Sequence, residues 1–207
     1  GGVLRGPAGG ALLPTSRPAV TGLGWRRGAA RAALEHEAAH IVTMPDGTLQ
    51  VRDGRRHLLY LSQGSAGAAL VAQAYTALHE DPALSALIPG VRRGCAMEFV
   101  REPGLFTGRT GLAATSGQLG PGPARTGPGV LASVRNLAWH LVADGDGLLV
   151  PGAGLRRFSA DLGTGAAGVL LGLHFLSGGP GGTGEGGAPR GGAGQAPAGL
   201  LELLTLG

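Results

Sequence analysis

The chain has 207 residues, a length that suits one sizeable domain or a slice of a larger one and argues against several complete domains. Glycine (42) and proline (14) are abundant, yet 43 % of residues are hydrophobic and only 4 % aromatic, so a core must be built from Leu, Val and Ala, which suits helices and disfavours an all-β sandwich or barrel. The formal charge of +4 arises from basic residues that are all Arg, dispersed as pairs such as Arg26-Arg27, Arg55-Arg56, Arg92-Arg93 and Arg156-Arg157, which argues against a nucleic-acid-binding stripe.

In chain order, residues 1–24 read as an irregular Gly/Pro-rich start. Residues 25–42 turn helical, with Ala29, Ala30, Ala33, Leu34, Ala38, Ile41 and Val42 near one stripe at spacings of three and four. Thr43-Met-Pro-Asp-Gly47 stops that helix, Pro and Gly acting as breakers. Further helices are predicted over 64–78, 82–99, 108–119, 130–142 and 165–176. The Gly/Pro-rich stretches 120–129 and 178–199 are expected to be mobile, and residues 200–206 to form at most one closing turn. The expected organisation is therefore a helical domain over 25–177 followed by a tail over 178–207. No apolar run reaches the roughly 18 residues of a membrane span, the longest lying at 168–176. Residues 1–10 lack a charged-then-apolar signal pattern, although a fragment leaves a signal further upstream open, and the expected location is cytoplasmic. Because the chain opens on Gly1 rather than Met, it is expected to be a piece of a larger protein. The single Cys95 excludes an intrachain disulfide and any zinc site with two thiolates.

One short pattern occurs three times: Leu61-Ser-Gln-Gly64-Ser-Ala-Gly67, Leu105-Phe-Thr-Gly108-Arg-Thr-Gly111 and Leu162-Gly-Thr-Gly165-Ala-Ala-Gly168. Each reads as loop, G-x-x-G, then apolar helix, and the intervals are long enough for a helical hairpin per repeat. The first Gly of each motif (Gly64, Gly108, Gly165) is expected to take a positive φ in the turn. The second (Gly67, Gly111, Gly168) is expected to let the helix start approach a neighbouring helix. Stacked hairpins of this kind give a solenoid or a closed toroid.

These blocks, with Asp46-Gly-Thr-Leu-Gln50, Trp139-His140 and Phe158-Ser-Ala-Asp-Leu-Gly-Thr-Gly-Ala-Ala-Gly-Val-Leu-Leu171, run over roughly residues 30 to 176 in the order found in the lanthionine synthetase cyclases. The chain most resembles the C-terminal cyclase-like region of the class III lanthipeptide synthetases. The resemblance implies an all-α fold, a partial helical-hairpin toroid (an α/α barrel). It also implies a ribosomally synthesised precursor peptide as substrate, and lyase and kinase domains elsewhere in the same polypeptide. NTP and Mg would serve that kinase, with no cofactor in this segment and no nucleic-acid or membrane partner. No kinase Gly-rich loop, His-Arg-Asp or Asp-Phe-Gly occurs in the sequence.

The chemistry so implied is addition of a precursor Cys thiolate to dehydroalanine or dehydrobutyrine, giving lanthionine or labionin rings. It needs a base for the thiol proton and a donor for the enolate. His140 and Arg109 are the candidates, against ordinary readings in which His140 is packing and Arg109 pairs with a carboxylate. Gly64, Gly67, Gly108, Gly111, Gly165 and Gly168 are expected to shape the substrate-lining turns, and Asp161 to cap or favour a helix N-terminus. The positions at which zinc-dependent cyclases hold their metal fall on Phe106, Gly163 and Thr164, so no metal site is expected, and Cys95 reads as a packed hydrophobe.

Two rival readings accompany this one. His36-Glu-Ala-Ala-His40 matches H-E-x-x-H, the zinc-peptidase pattern, but no third-ligand signature follows and only scattered His57, Glu80 or Glu98 could complete it. Alternatively, the region docks the precursor or braces a kinase domain without chemistry, since fold does not fix function.

Overall fold

The structure is a computed structural model that describes residues 24–120 and 127–178, with side chains from Arg27 onward. The expectations for residues 1–23, 121–126 and 179–207 lie outside the described residues. Six α-helices are described: α1 (Gly24–Ala38), α2 (Ser65–Thr76), α3 (Pro82–Cys95), α4 (Arg109–Gln118), α5 (Pro128–Leu137) and α6 (Ala166–Leu176). They follow the predicted segments, each shorter than expected where a turn or strand takes over the end.

The chain is not all-α. A three-stranded antiparallel sheet, β1 (Ile41–Thr43), β2 (Leu49–Asp53) and β3 (Arg56–Leu58), follows α1, and a two-stranded one, β4 (Val142–Asp144) and β5 (Gly147–Leu149), follows α5. Ile41 and Val42, expected on the first helix, therefore pair instead with Val51 and Gln50. Val142, expected to end the fifth helix, pairs with Leu149. The physical reason is turn chemistry. Gly47, Gly54 and Gly145 take φ of +76°, +60° and +56°, the left-handed backbone that tight hairpins require. Asp46 closes the first turn, its carboxylate accepting from the Thr48 amide at 2.9 Å and the Thr48 hydroxyl at 2.7 Å.

The first hairpin staples two helices. Ser65 at the start of α2 donates its hydroxyl to the Leu49 carbonyl at 2.8 Å, and Arg93 on α3 donates to the Gly47 carbonyl at 2.9 Å. Leu49 itself lies so close to Gly90 that a Cβ there would come within 2.5 Å of its Cγ. Asp46-Gly-Thr-Leu-Gln50 is thus a docking hairpin.

At the centre lies α4, buried from Arg109 through Gly117, which is why its Gly, Ala, Thr and Ser side chains are small. It packs on α3, α5 and α6, and α2 packs on α3 and α1. Leu61, Leu70, Val91, Leu105, Leu112 and Phe175 form the main core, and Ala30, Leu34, Val71, Tyr75 and Leu84 a second cluster beneath α1. Cys95 sits in the main core at 1 % exposure, where burial pushes its thiol up to about 12. Among the described residues, no helix is long and apolar enough to cross a membrane.

Candidate functional site

The three G-x-x-G turns come together in sequence order. The Ser62 amide donates to the Phe106 carbonyl, and the Phe106 amide to the Gly163 carbonyl, each at 2.9 Å. These residues occupy the same place in each repeat, two before the first Gly, so successive turns are laid side by side by a backbone ladder.

Each turn also caps the helix that follows it. The Arg109 amide donates to the Glu102 carbonyl at 2.8 Å, the Thr110 amide to Pro103 at 3.1 Å, the Ala66 amide to Leu59 at 3.0 Å and the Ala166 amide to Ser159 at 2.9 Å. At least one orphan amide of each helix start is thus met by backbone seven residues upstream, and none of α2, α4 and α6 has a side-chain cap. This folding back explains the first Gly of each motif. Its φ is not positive but extended or nearly so (−147°, −145° and −105° at Gly64, Gly108 and Gly165). A Cβ on Gly64 would strike the Leu59 and Tyr60 backbone, on Gly108 the Glu102 carbonyl, and on Gly165 the Ser159 carbonyl.

The second Gly answers to the same turn more than to a neighbouring helix. A Cβ on Gly111 would strike the Leu105 carbonyl, and one on Gly168 the Leu162 carbonyl, both deep inside contact distance. The neighbouring repeat comes next: Leu105 Cβ would lie 2.9 Å from a Cβ on Gly168, and Leu61 Cβ 3.5 Å from one on Gly111. Gly67 is buried within α2.

Asp161 organises its turn and does not cap α6, whose N-cap is Gly165. Its carboxylate accepts from the Thr164 amide at 2.7 Å, the Thr164 hydroxyl at 2.8 Å and the Ser159 hydroxyl. These bonds, the Ser159 hydroxyl first, pull its carboxyl down to about 2. Because the folded value lies below the ordinary 3.8, Asp161 stabilises the fold above about pH 4, and that contribution is lost as the pH falls toward 2. Acid melts of the wild type and Asp161→Ala should converge over that interval and diverge above it; parallel curves would remove Asp161 from the turn.

Glu102 ties two repeats together: its carboxylate accepts from the Thr107 hydroxyl and, across 52 residues, from the Gly154 amide, both at 3.0 Å. Phe106, Gly163 and Thr164, the positions that the family resemblance sets against the cyclase zinc ligands, offer an aromatic ring, no side chain, and a hydroxyl already given to Asp161. That donor set does not fit zinc.

Arg109 and His140, singled out separately by sequence, are brought together. Arg109 opens α4 and His140 ends the 3-10 turn Ala138–His140 that follows α5. The Arg109 Nε donates to His140 Nε2 at 3.4 Å, its Nη2 donates to the Glu98 carbonyl at 2.8 Å, and Trp139 lies over it with Cζ 5.8 Å from the ring centroid. No carboxylate pairs with it among the described residues, although it is only 2 % exposed, and its Nη1 is buried without a partner. Burial holds the guanidinium below its ordinary pKa, and burial with the neighbouring Arg109 charge lowers that of His140. His140 is therefore a neutral ring whose Nε2 lone pair points at Arg109, leaving Nδ1 to carry the proton. To serve as a base, Nε2 must first leave Arg109.

The H-E-x-x-H residues do not form a helical pair, since α1 ends at Ala38 and His40 lies in the turn beyond it. The His40 Nδ1 contacts the His36 carbonyl at 2.8 Å, with the rings edge to face and their centroids 5.0 Å apart. Among the described residues, no three His, Cys, Asp or Glu side chains are gathered as a metal site.

No family model matches the chain. By sequence it is similar to a probable SapB synthase of Streptomyces coelicolor, 34 % identical over 177 residues, an alignment that takes in 82 % of this chain and 18 % of the relative. The chain thus resembles, over most of its own length, a segment spanning less than a fifth of that synthase.

Proposed function

We propose that this chain is the cyclase-like region of a class III lanthipeptide synthetase, in which precursor-peptide Cys thiols add to dehydroalanine or dehydrobutyrine without a zinc site. The observation that carries the reading is the stacking of three G-x-x-G turns whose metal positions are Phe106, Gly163 and Thr164. The likeness to a probable SapB synthase supports a lanthipeptide-modifying enzyme and a peptide substrate. We take the three repeats as part of a larger helical-hairpin toroid. In support, α6 is strongly apolar yet leaves Leu170 66 % exposed, as an inner helix does when one neighbour is missing. In this reading Arg109 and His140 are the donor and base, the turns that the glycines and Asp161 shape line the substrate, and kinase and lyase domains of the same cytoplasmic polypeptide supply the dehydrated peptide, using NTP and Mg.

Deleting residues 64–176 from the intact synthetase tests the division of labour. Phosphorylation and elimination should persist while ring formation falls, which thiol alkylation and mass spectrometry of the dehydrated precursor count directly. Loss of dehydration as well would make the region a docking or bracing element.

A further inference from the structure

Away from the turns, a cavity of about 320 Å³ opens where the last turn of α3, the C-terminal half of α4 and the start of α5 meet. Arg92, Arg93, Ser116, Gly129 and Val130 are among its lining residues, and among the described residues no acidic one lines it. Three of its elements carry donors with nothing to donate to. Ser116 is 6 % exposed, and its hydroxyl has no hydrogen bond among the described residues. Arg92 forms none either, and its Nε is buried without a partner. The first turn of α5 is open as well. Its N-cap Gly127 offers no side chain, Pro128 has no amide hydrogen, and the Gly129 and Val130 amides are unpaired among the described residues.

That last feature sets α5 apart from α4, whose Arg109, Thr110 and Gly111 amides are taken by upstream backbone, and from α2 and α6, in each of which one opening amide, that of Ala66 and of Ala166, is taken in this way. Arg93, by contrast, is engaged, its Nη2 spent on the Gly47 carbonyl. A guanidinium, the hydroxyl of a largely buried serine and a helix N-terminus lining one cavity with no acid among its described lining residues describe an anion site.

We propose that this cavity binds a phosphate group, free or carried as a monoester. Donors on three separate elements suit a tetrahedral anion, whose oxygens diverge, better than a planar carboxylate with two. The buried, unpartnered Arg92 Nε shows that this guanidinium is held at the cavity without a protein acceptor, and the Ser116 hydroxyl is open to the anion, which neither water-exposed arginines nor a lone helix end would explain.

Calorimetric titration of the 207-residue chain at fixed ionic strength tests this, with inorganic phosphate, O-phosphoserine and acetate as probes. Saturable binding of at least one phosphate probe is expected, with acetate about tenfold weaker or more. Preference for inorganic phosphate would identify the free ion, and preference for O-phosphoserine a monoester. Arg92→Gln should weaken binding about tenfold, Ser116→Ala a few-fold, and Arg92→Lys should fall between wild type and Arg92→Gln. Arg56→Gln, on an exposed strand where Arg56 pairs with Asp53, should change nothing. Ser116→Ala keeps the test informative should Arg92→Gln fold poorly. The proposal is overturned by absence of saturable phosphate binding, by equal binding of acetate, by indifference to both pocket variants, or by an equal loss in Arg56→Gln.

Discussion

Replacing Gly111 by Ala should destabilise the fold by about 3 kcal/mol or more, the upper end of what overpacking costs, because the new Cβ would overlap the Leu105 carbonyl. Backbone does not yield as the end of a flexible side chain does. That carbonyl belongs to the turn that also holds the ladder bond of Phe106, so relief would have to move the turn away from its neighbours. Gly168→Ala should behave alike, for its Cβ would strike the Leu162 carbonyl and press on Leu105 Cβ from the next repeat. The control lies on the outer helix. Gly28 sits exposed within α1 with nothing within 4 Å of a Cβ, so Gly28→Ala should stabilise by roughly 0.5–1 kcal/mol through helix propensity alone. Thermal melts should show opposite signs; equal effects at Gly28 and Gly111 would make the repeat an accident of a glycine-rich composition.

The three turns were legible because identity at several fixed offsets is hard to produce by composition, even with 42 glycines. The mechanism was less legible. A Gly opening a helix suggests positive φ, whereas Gly64, Gly108 and Gly165 make room for backbone arriving from seven residues upstream, a contact that no local pattern announces. The hairpins were missed for a different reason. Asp46-Gly47, Asp53-Gly54 and Asp144-Gly145 are strong hairpin signals, but beside Pro45 the first passes for a helix breaker, and in a chain poor in aromatics the other two draw no strand reading. Three-residue strands carry too few alternations to correct that impression. In the site, the separation of Glu102 from Gly154 and of Arg92 from Ser116 puts those groups beyond any motif. Arg109 and His140 were found one at a time, from a G-x-x-G position and from Trp139-His140. Their contact across 31 residues, and the missing carboxylate, are facts of packing.

On the proposed cyclase reading, removing the Arg109 guanidinium in the intact synthetase, as Arg109→Met, should slow ring closure by roughly 10²-fold or more if its buried, unpartnered Nη1 is the donor that meets the enolate. His140→Ala should match it in size if Nε2 is the base. Because loss of a buried side chain also weakens packing, a second readout is needed, and the His140 ring supplies it. Its pKa lies below 6.5, first through burial and then through the Arg109 charge, so Arg109→Met should raise it while burial still keeps it under 6.5. The linkage sign follows: the fold favours the neutral ring, so stability is full above about pH 6.5 and falls as protonation of the unfolded chain takes hold below that. Nitrogen NMR of the wild type should report the Nδ1–H tautomer, and the His140→Ala variant should lose this part of the pH dependence of its melts. A ring that titrates as described, together with ring closure indifferent to both substitutions, would make Arg109 and His140 a brace between the start of α4 and the end of α5. The turns would then have to supply the base from elsewhere. Loss of ring closure in Arg109→Lys, which keeps the charge but not the planar fork, would show that the fork's geometry and not the charge alone is what the reaction uses.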